Sequence, residues 1–230
     1  EGIAVKKPQK ISFDEAAGIP SAGLTALQSF NRMNASSTDS ILITGAAGGV
    51  GNVFIKLLIA KGFTNFVVTA GNEESINSLV NLGVKSEQII NYRKEDIYEA
   101  AFSLNGNQKF DIAVDFVGNQ VAEIAAKLLK INGKYIDVTN FSTPESRSIL
   151  FSKGATIHNI SNYAYGIEKQ YDYYKNGLAE LSHLIENEII SPPNINVIGG
   201  LKKETVDTSL AILRKNKTNG RKLIMQIHKE

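Results

Sequence analysis

Hydrophobic and polar positions along the chain fall into short apolar runs separated by stretches with helical spacing. The clearest run is Ile41-Leu42-Ile43-Thr44, which follows the polar approach Ser36-Ser37-Thr38-Asp39 and breaks into glycines. A short unbroken apolar run of this kind suits an inner strand of a parallel sheet, so a strand is predicted over Ser40 to Ile43. Beyond the glycines, Val50, Val53, Phe54, Leu57 and Leu58 recur at helical spacing, and one face of a helix ending near Lys61-Gly62 packs back on that sheet. Upstream, Ser12-Phe13-Asp14-Glu15 has capping-box spacing for a short helix through Ala17, which Gly18-Ile19-Pro20 is expected to stop. A second helix is expected from Ala22 to Arg32.

Downstream the pattern alternates in the βα manner. Strands are predicted at Phe66 to Thr69, Gln88 to Tyr92, Phe110 to Phe116, Lys134 to Val138 and Ala155 to Ile160. Helices are predicted at Ser75 to Leu82, Asp96 to Leu104 and Val121 to Lys130, with turns at Val117-Gly118-Asn119 and Gly133, and none is placed between Val138 and Ala155. With the Ser40 strand this is an α/β pattern, a doubly wound six-stranded parallel sheet of the Rossmann kind. A long amphipathic helix over Glu168 to Asn187 then leads to Ser191-Pro192-Pro193. The prolines mark a change of domain or layer before a C-terminal α/β segment: strand Asn194 to Ile198, helix Glu204 to Leu213, strand Lys222 to Ile227.

Composition narrows the classes without deciding among enzymes. A chain of 230 residues that is 43% hydrophobic can bury a sizeable core. Its charge of +2 is spread over 25 basic and 23 acidic residues, so no nucleic-acid stripe is visible. There is no Cys, hence no disulfide and no thiolate metal site, which is compatible with the cytoplasmic location expected here. No apolar run approaches membrane-spanning length and no signal-peptide pattern opens the chain. Glu1 in place of an initiator Met leads to the expectation of a processed or trimmed polypeptide.

Candidate chemistry concentrates in the glycine-rich turn. Against the dinucleotide pattern G-x-G-x-x-G/A, Ala46 takes the first slot and Gly48 the second, where backbone approaches a pyrophosphate. Gly51 takes the third, where helix meets strand. Amides at the helix start, around Gly49 and Val50, would hold phosphates with the helix dipole and no side-chain charge. A Walker-type site is disfavoured, because no Gly-Lys-Ser/Thr follows. Ligands of such sheets bind outside the carboxyl ends of the strands, which adds Ala70-Gly71-Asn72, Phe116-Val117-Gly118 and Val138-Thr139-Asn140.

Where NAD enzymes place an acid about 20 residues beyond the loop to bind the ribose, this chain has Thr69-Ala70-Gly71-Asn72, which leaves room for a phosphate. The competing reading is that Ala70 is a plain strand end and Tyr92 a half-buried strand residue. His158, His183 and His228 are dispersed and give zinc little support. Asp111 and Asp115 read as structural or loop-anchoring rather than as a catalytic pair. The Tyr163 to Tyr174 cluster reads as packing or an oligomer contact.

Several segments together resemble one family: Ala16-Ala17-Gly18-Ile19-Pro20 with Gly23-Leu24-Thr25-Ala26, Gly45 to Gly51, Ile90-Asn91-Tyr92-Arg93, Asp115-Phe116-Val117-Gly118 and Gly220-Arg221-Lys222-Leu223. The chain is similar in these to the zinc-independent quinone oxidoreductases of the medium-chain dehydrogenase/reductase superfamily. That resemblance implies an NADPH-dependent enzyme transferring hydride to a quinone, enone or similar activated alkene, built from a GroES-like barrel and a Rossmann domain, with most of the barrel absent here. Residues 1–20 would then be a lead-in from the barrel, 21–190 the dinucleotide domain, and 191–230 a segment that normally returns to the barrel. By the same resemblance, Thr25 lies near the nicotinamide, Tyr92 beside the 2′-phosphate, Phe116, Val117 and Gly118 over the adenosine side, and Val138, Thr139 and Asn140 near the nicotinamide. The family's 2′-phosphate lysine falls at Ser75, with Glu73 and Glu74 close by.

No catalytic acid or nucleophile is assigned. Hydride transfer needs positioning, for which Thr25 and the Thr139-Asn140 backbone are the candidates. The isolated chain is expected to bind coenzyme but to reduce quinones or enones poorly. The sixth strand is expected at a sheet edge, pairing with a second copy in a homodimer. The alternative is a non-catalytic nucleotide-binding or scaffold protein.

Overall fold

The structure, a computed structural model, describes residues 3–215 and 217–227. Its centre is a six-stranded sheet built from β1 (Ile41–Thr44), β2 (Phe66–Ala70), β3 (Ile89–Asn91), β4 (Phe110–Asp115), β5 (Leu129–Asp137) and β6 (Thr156–Asn159). The order is β3-β2-β1-β4-β5-β6 and every pairing is parallel. This is the doubly wound arrangement expected from the six apolar runs, and its order reverses between β1 and β4. β6 lies at the edge, as expected.

Side-chain alternation sends each strand's residues into two cores. Ile41, Ile43, Val68, Ile112 and Val114 meet α2 (Ile19–Met33), α3 (Gly49–Ala60), α4 (Glu73–Asn81) and α9 (Asp172–Glu186) on one face. Leu42, Val67, Ala113 and Tyr135 meet α5 (Ile97–Leu104), α6 (Gln120–Leu128) and α7 (Pro144–Ser152) on the other. Because both faces are covered, β1 and β2 are buried at every position and carry no polar alternation. An aromatic chain anchors α3 to the site: Phe54 is fully buried, and its ring meets Phe116 edge-on at 5.4 Å.

Four local expectations are corrected. Gly18-Ile19-Pro20 does not stop the chain's helical course. After α1 (Phe13–Ala17), α2 begins at Ile19 with Pro20 in its first turn, where a missing N–H costs nothing. The helix expected from Val121 to Lys130 ends at Leu128 and runs straight into β5, which contains Gly133 as a strand residue beside a register shift. Between Val138 and Ala155 lies α7, capped by the Thr143 hydroxyl and started by Pro144. The Glu168 to Asn187 helix is shorter: α8 (Tyr163–Ile167) precedes it, Lys169 turns left-handed at φ 54°, and α9 starts at Asp172.

The C-terminal segment forms a separate parallel pair, β7 (Ile195–Gly200) and β8 (Lys222–Gln226), connected through α10 (Lys203–Arg214). It is held to the main unit from below by Lys56 of α3, whose ammonium donates to the carbonyls of Ser191 and Pro192 at 3.3 and 2.6 Å. From above, Gly220 at φ 75° packs so closely on the Ala47 carbonyl that a β-carbon there would overlap it.

Candidate coenzyme site

The β1–α3 turn is shaped by glycines at two places. Gly45 adopts φ 71°, so the left-handed residue is one position before the slot that Ala46 occupies, and Ala46 itself is fully buried. A β-carbon on Gly51 would stand 2.5 Å from the Gly45 oxygen and 2.7 Å from that of Ala46, which is the close helix-to-turn packing expected of the third glycine. Gly48 is the N-cap of α3 and no side chain caps this helix, so its first-turn amides at Gly49, Val50 and Gly51 are left for another acceptor. The turn therefore offers backbone donors to a pyrophosphate, and the Lys222 side chain packs against Gly49 beside them.

Two buried carboxylates set the loops that follow β4 and β5. Asp115 accepts from the Thr44 hydroxyl at 2.6 Å, the Tyr135 hydroxyl at 2.7 Å and the Val117 and Gly118 amides at 2.9 and 3.0 Å. Burial and this neighbouring charge push the Tyr135 phenol far up, so it serves as a donor. Asp137 accepts from the Asn140 amide at 3.0 Å, the Ser142 hydroxyl at 2.6 Å and Arg147 at 3.3 Å. The Asn119 amide donates to the Phe141 carbonyl at 2.7 Å and joins the two loops. Asp111 is structural, as expected: it accepts from Ser40 and from Lys130 at 2.7 Å. Burial opposes its ionisation, but these partners outweigh it and hold the carboxyl below its usual range.

Around this frame the strand ends enclose two cavities. The first, of about 450 Å³, is lined by Gly48, Gly71, Asn72, Ser75, Tyr92, Phe116 and Val117 among others. The second, of about 860 Å³, is lined by Thr25, Val138, Thr139 and Asn140 with Tyr163, Tyr171 and Tyr174. Of the expected site residues, Ala46, Gly49, Val50, Gly51 and Gly118 line neither cavity; they form the backbone turns beneath them. Asn72 has a structural duty as well, its side-chain oxygen capping α4 through the Ser75 amide at 2.8 Å. Tyr92 lies over Gly71 so tightly that a β-carbon there would overlap its ring.

Sequence reasoning missed Arg93 and the Thr218-Asn219-Gly220 turn, all of which line the smaller cavity. Arg93 was legible beside Tyr92. The turn was not, because it arrives from the far end of the chain. Glu74, close to Ser75 in sequence, accepts from the Asn219 side-chain amide at 2.5 Å and lies 3.6 Å from Arg221. Among the described residues, no group of three or more His, Cys, Asp or Glu could hold a metal ion, and His228 lies outside them.

The sequence profile described as zinc-binding dehydrogenase matches residues 49–182, from the first turn of α3 to α9. The chain belongs to this family. Its relatives include quinone and alkenal oxidoreductases, the branch the motifs resemble, together with a zinc-type alcohol dehydrogenase-like protein and polyketide synthases. It is 31% identical over 164 residues to the 2-methylene-furan-3-one reductase of Solanum lycopersicum, covering 71% of this chain and 40% of that protein. Likewise it is 30% identical to the chloroplastic NADPH-dependent alkenal/one oxidoreductase of Arabidopsis thaliana, again over 71% and 40%. The Escherichia coli quinone oxidoreductase complexed with NADPH superposes with a TM-score of 0.82 at 25% identity, over 97% of this chain and 68% of that one. This family member thus spans about 40% of the length of the curated relatives it matches.

Proposed function

We propose that this chain forms the coenzyme-binding part of an NADPH-dependent oxidoreductase that delivers hydride to a quinone, enone or related activated alkene. The observation that carries the reading is the smaller cavity at the end of β2. Ala70 stands where an NAD enzyme needs an acid, and Tyr92, Arg93 and Ser75 lie around the vacated space. Arg93 is the cation in that wall, and the nearby Glu74 carboxylate has Arg221 at 3.6 Å as its own counter-charge, so the balance there suits a phosphate. The names of the NADPH-linked relatives support the same reading.

In this arrangement the α3 amides and Gly48 hold the pyrophosphate, while Phe116 and Val117 flank the adenosine end. Thr25 and the Val138-Thr139-Asn140 loop orient the nicotinamide end. The coenzyme supplies the hydride; the protein supplies orientation and exclusion of water. This chain's own residues offer no thiolate ligand for a metal, since its sequence has no Cys. The β6 edge pairs with a second copy in a homodimer.

Calorimetry with NADPH and NADH, beside coenzyme oxidation with a panel of quinones and enones, tests the proposal. Tighter binding of NADPH, lost in Arg93→Gln, is expected. Equal or reversed affinities would remove the phosphate assignment, and coenzyme binding without turnover on any acceptor would favour a non-catalytic nucleotide-binding role.

A further inference from the structure

The larger cavity contains a hydrogen-bond chain whose direction is fixed by counting protons. The Thr25 hydroxyl lies 2.8 Å from the Ser21 carbonyl oxygen and 2.9 Å from Asn162 Nδ2. Asn162 Oδ1 lies 2.5 Å from the Tyr173 hydroxyl, and the Asn162 backbone carbonyl accepts from the Tyr174 hydroxyl at 2.7 Å. Tyr173 is held by stacking on Tyr165, with ring centroids 3.6 Å apart and planes 3° from parallel. A threonine hydroxyl has one hydrogen, and a carbonyl oxygen can only accept. If the Asn162 amide were reversed, Thr25 would face two acceptor oxygens with one proton between them. Only with the amide nitrogen toward Thr25 does every short contact hold a hydrogen. Burial pushes the Tyr173 phenol up to about 12, so it remains a donor at neutral pH.

We infer that Asn162 is a positioning residue that makes the Thr25 hydroxyl an acceptor-only group on the cavity wall, selecting a ligand that presents an N–H donor, such as a primary carboxamide. Thr25 gives its proton to Ser21 and one lone pair to Asn162. A single lone pair is left for a ligand. The inference rests on the coenzyme reading above, under which that donor is the nicotinamide carboxamide. It has a consequence for substrate as well: Thr25 does not donate to a quinone or enone oxygen, and neither do Tyr173 and Tyr174, whose protons are spent on Asn162.

The test compares NADPH with its reduced 3-acetylpyridine analogue, in which a methyl replaces the amide NH₂. Adenosine 2′,5′-bisphosphate reports the adenosine half alone. The wild-type chain is expected to bind NADPH about three- to tenfold tighter than the analogue, the effect of one net hydrogen bond. Thr25→Val should bring that ratio to about one, and Asn162→Ala should lower it at least about twofold by the loss of the same orientation. Tyr173→Phe, a milder change, should also lower it. All three should bind the bisphosphate as the wild type does, which a general loss of structure would not allow. A wild-type ratio of one with both nucleotides bound, or a ratio unmoved by Thr25→Val and Asn162→Ala, overturns the inference and leaves the coenzyme reading intact. A folded chain that binds neither NADPH nor the bisphosphate overturns the coenzyme reading itself and the inference with it.

Discussion

Asp115→Ala is the perturbation that should damage both fold and site most per atom removed. The carboxylate is 1% exposed and is the common acceptor for two hydroxyls and two amides. Two of its donors, Thr44 and Tyr135, are themselves buried in β1 and β5. A buried donor left without a partner costs about 1–3 kcal/mol. Simple addition would overshoot, because the Val117 and Gly118 amides sit on a loop that can relax toward solvent. A loss of about 3–5 kcal/mol is expected, in line with two buried hydroxyls left without an acceptor at about 1–3 kcal/mol each. Against a typical stability of about 5–15 kcal/mol this is a large fraction, and at an m-value of about 1–3 kcal/mol per molar urea it moves the midpoint by more than about 1 M. Tyr135→Phe removes one of these bonds and should cost about 1.5–3 kcal/mol, as for a hydrogen bond to a charged group. In the Asp115→Ala background the same change should cost much less, because its acceptor is gone. Urea unfolding of the four proteins, followed by circular dichroism, measures all terms. A single Asp115→Ala loss below about 0.5 kcal/mol, the level of an ordinary surface substitution, or full additivity with Tyr135→Phe, would refute this account of the strand-end network.

Gly51→Ala places a β-carbon 2.5 to 2.8 Å from the backbone of Gly45 and Ala46, which cannot swing away as a side chain would, so a loss of about 1–3 kcal/mol and failure of coenzyme titration are expected. Burial lowers the Lys56 pKa from 10.5 to about 8, so the unfolded chain holds the extra proton between those values and stability attributable to this residue should rise from about pH 8 to 10.5. Subtracting Lys56→Met from wild type in thermal melts isolates that slope, and a difference that is flat or falls with pH would contradict it. Light scattering at micromolar concentration should find a dimer, and Ile157→Pro in a still folded chain should yield a monomer, since β6 is an edge strand.

Much of this architecture was legible because burial on both faces leaves its mark on composition. Runs such as Ile41 to Ile43 and Phe66 to Val68 are apolar throughout, and their order with intervening helices implies the sheet. α7 was harder. Its cap, Thr143 with Pro144, is a recognisable start, but only Ser146 and Leu150 are buried, so hydrophobic periodicity hardly announces it. Pro20 misled because the same residue ends one helix and begins another, and only context separates these roles. At the site, local glycine and loop motifs were readable, whereas the contribution of Thr218 to Gly220 and the hydrogen bond from Asn219 to Glu74 join positions 145 residues apart. The Asn162–Thr25 link spans 137 residues and likewise has no signature along the chain.

The central claim, a nicotinamide coenzyme laid across the carboxyl ends of β1 to β5, is tested most directly by hydrogen exchange read by mass spectrometry with and without saturating NADPH. The account predicts added protection in Gly45 to Gly51, Gly71 to Ser75, Tyr92-Arg93, Phe116 to Gly118, Val138 to Asn140 and Thr218 to Gly220 together, with β7 and α10 unchanged. Protection confined to other segments, or none in a folded chain at millimolar NADPH, would contradict it.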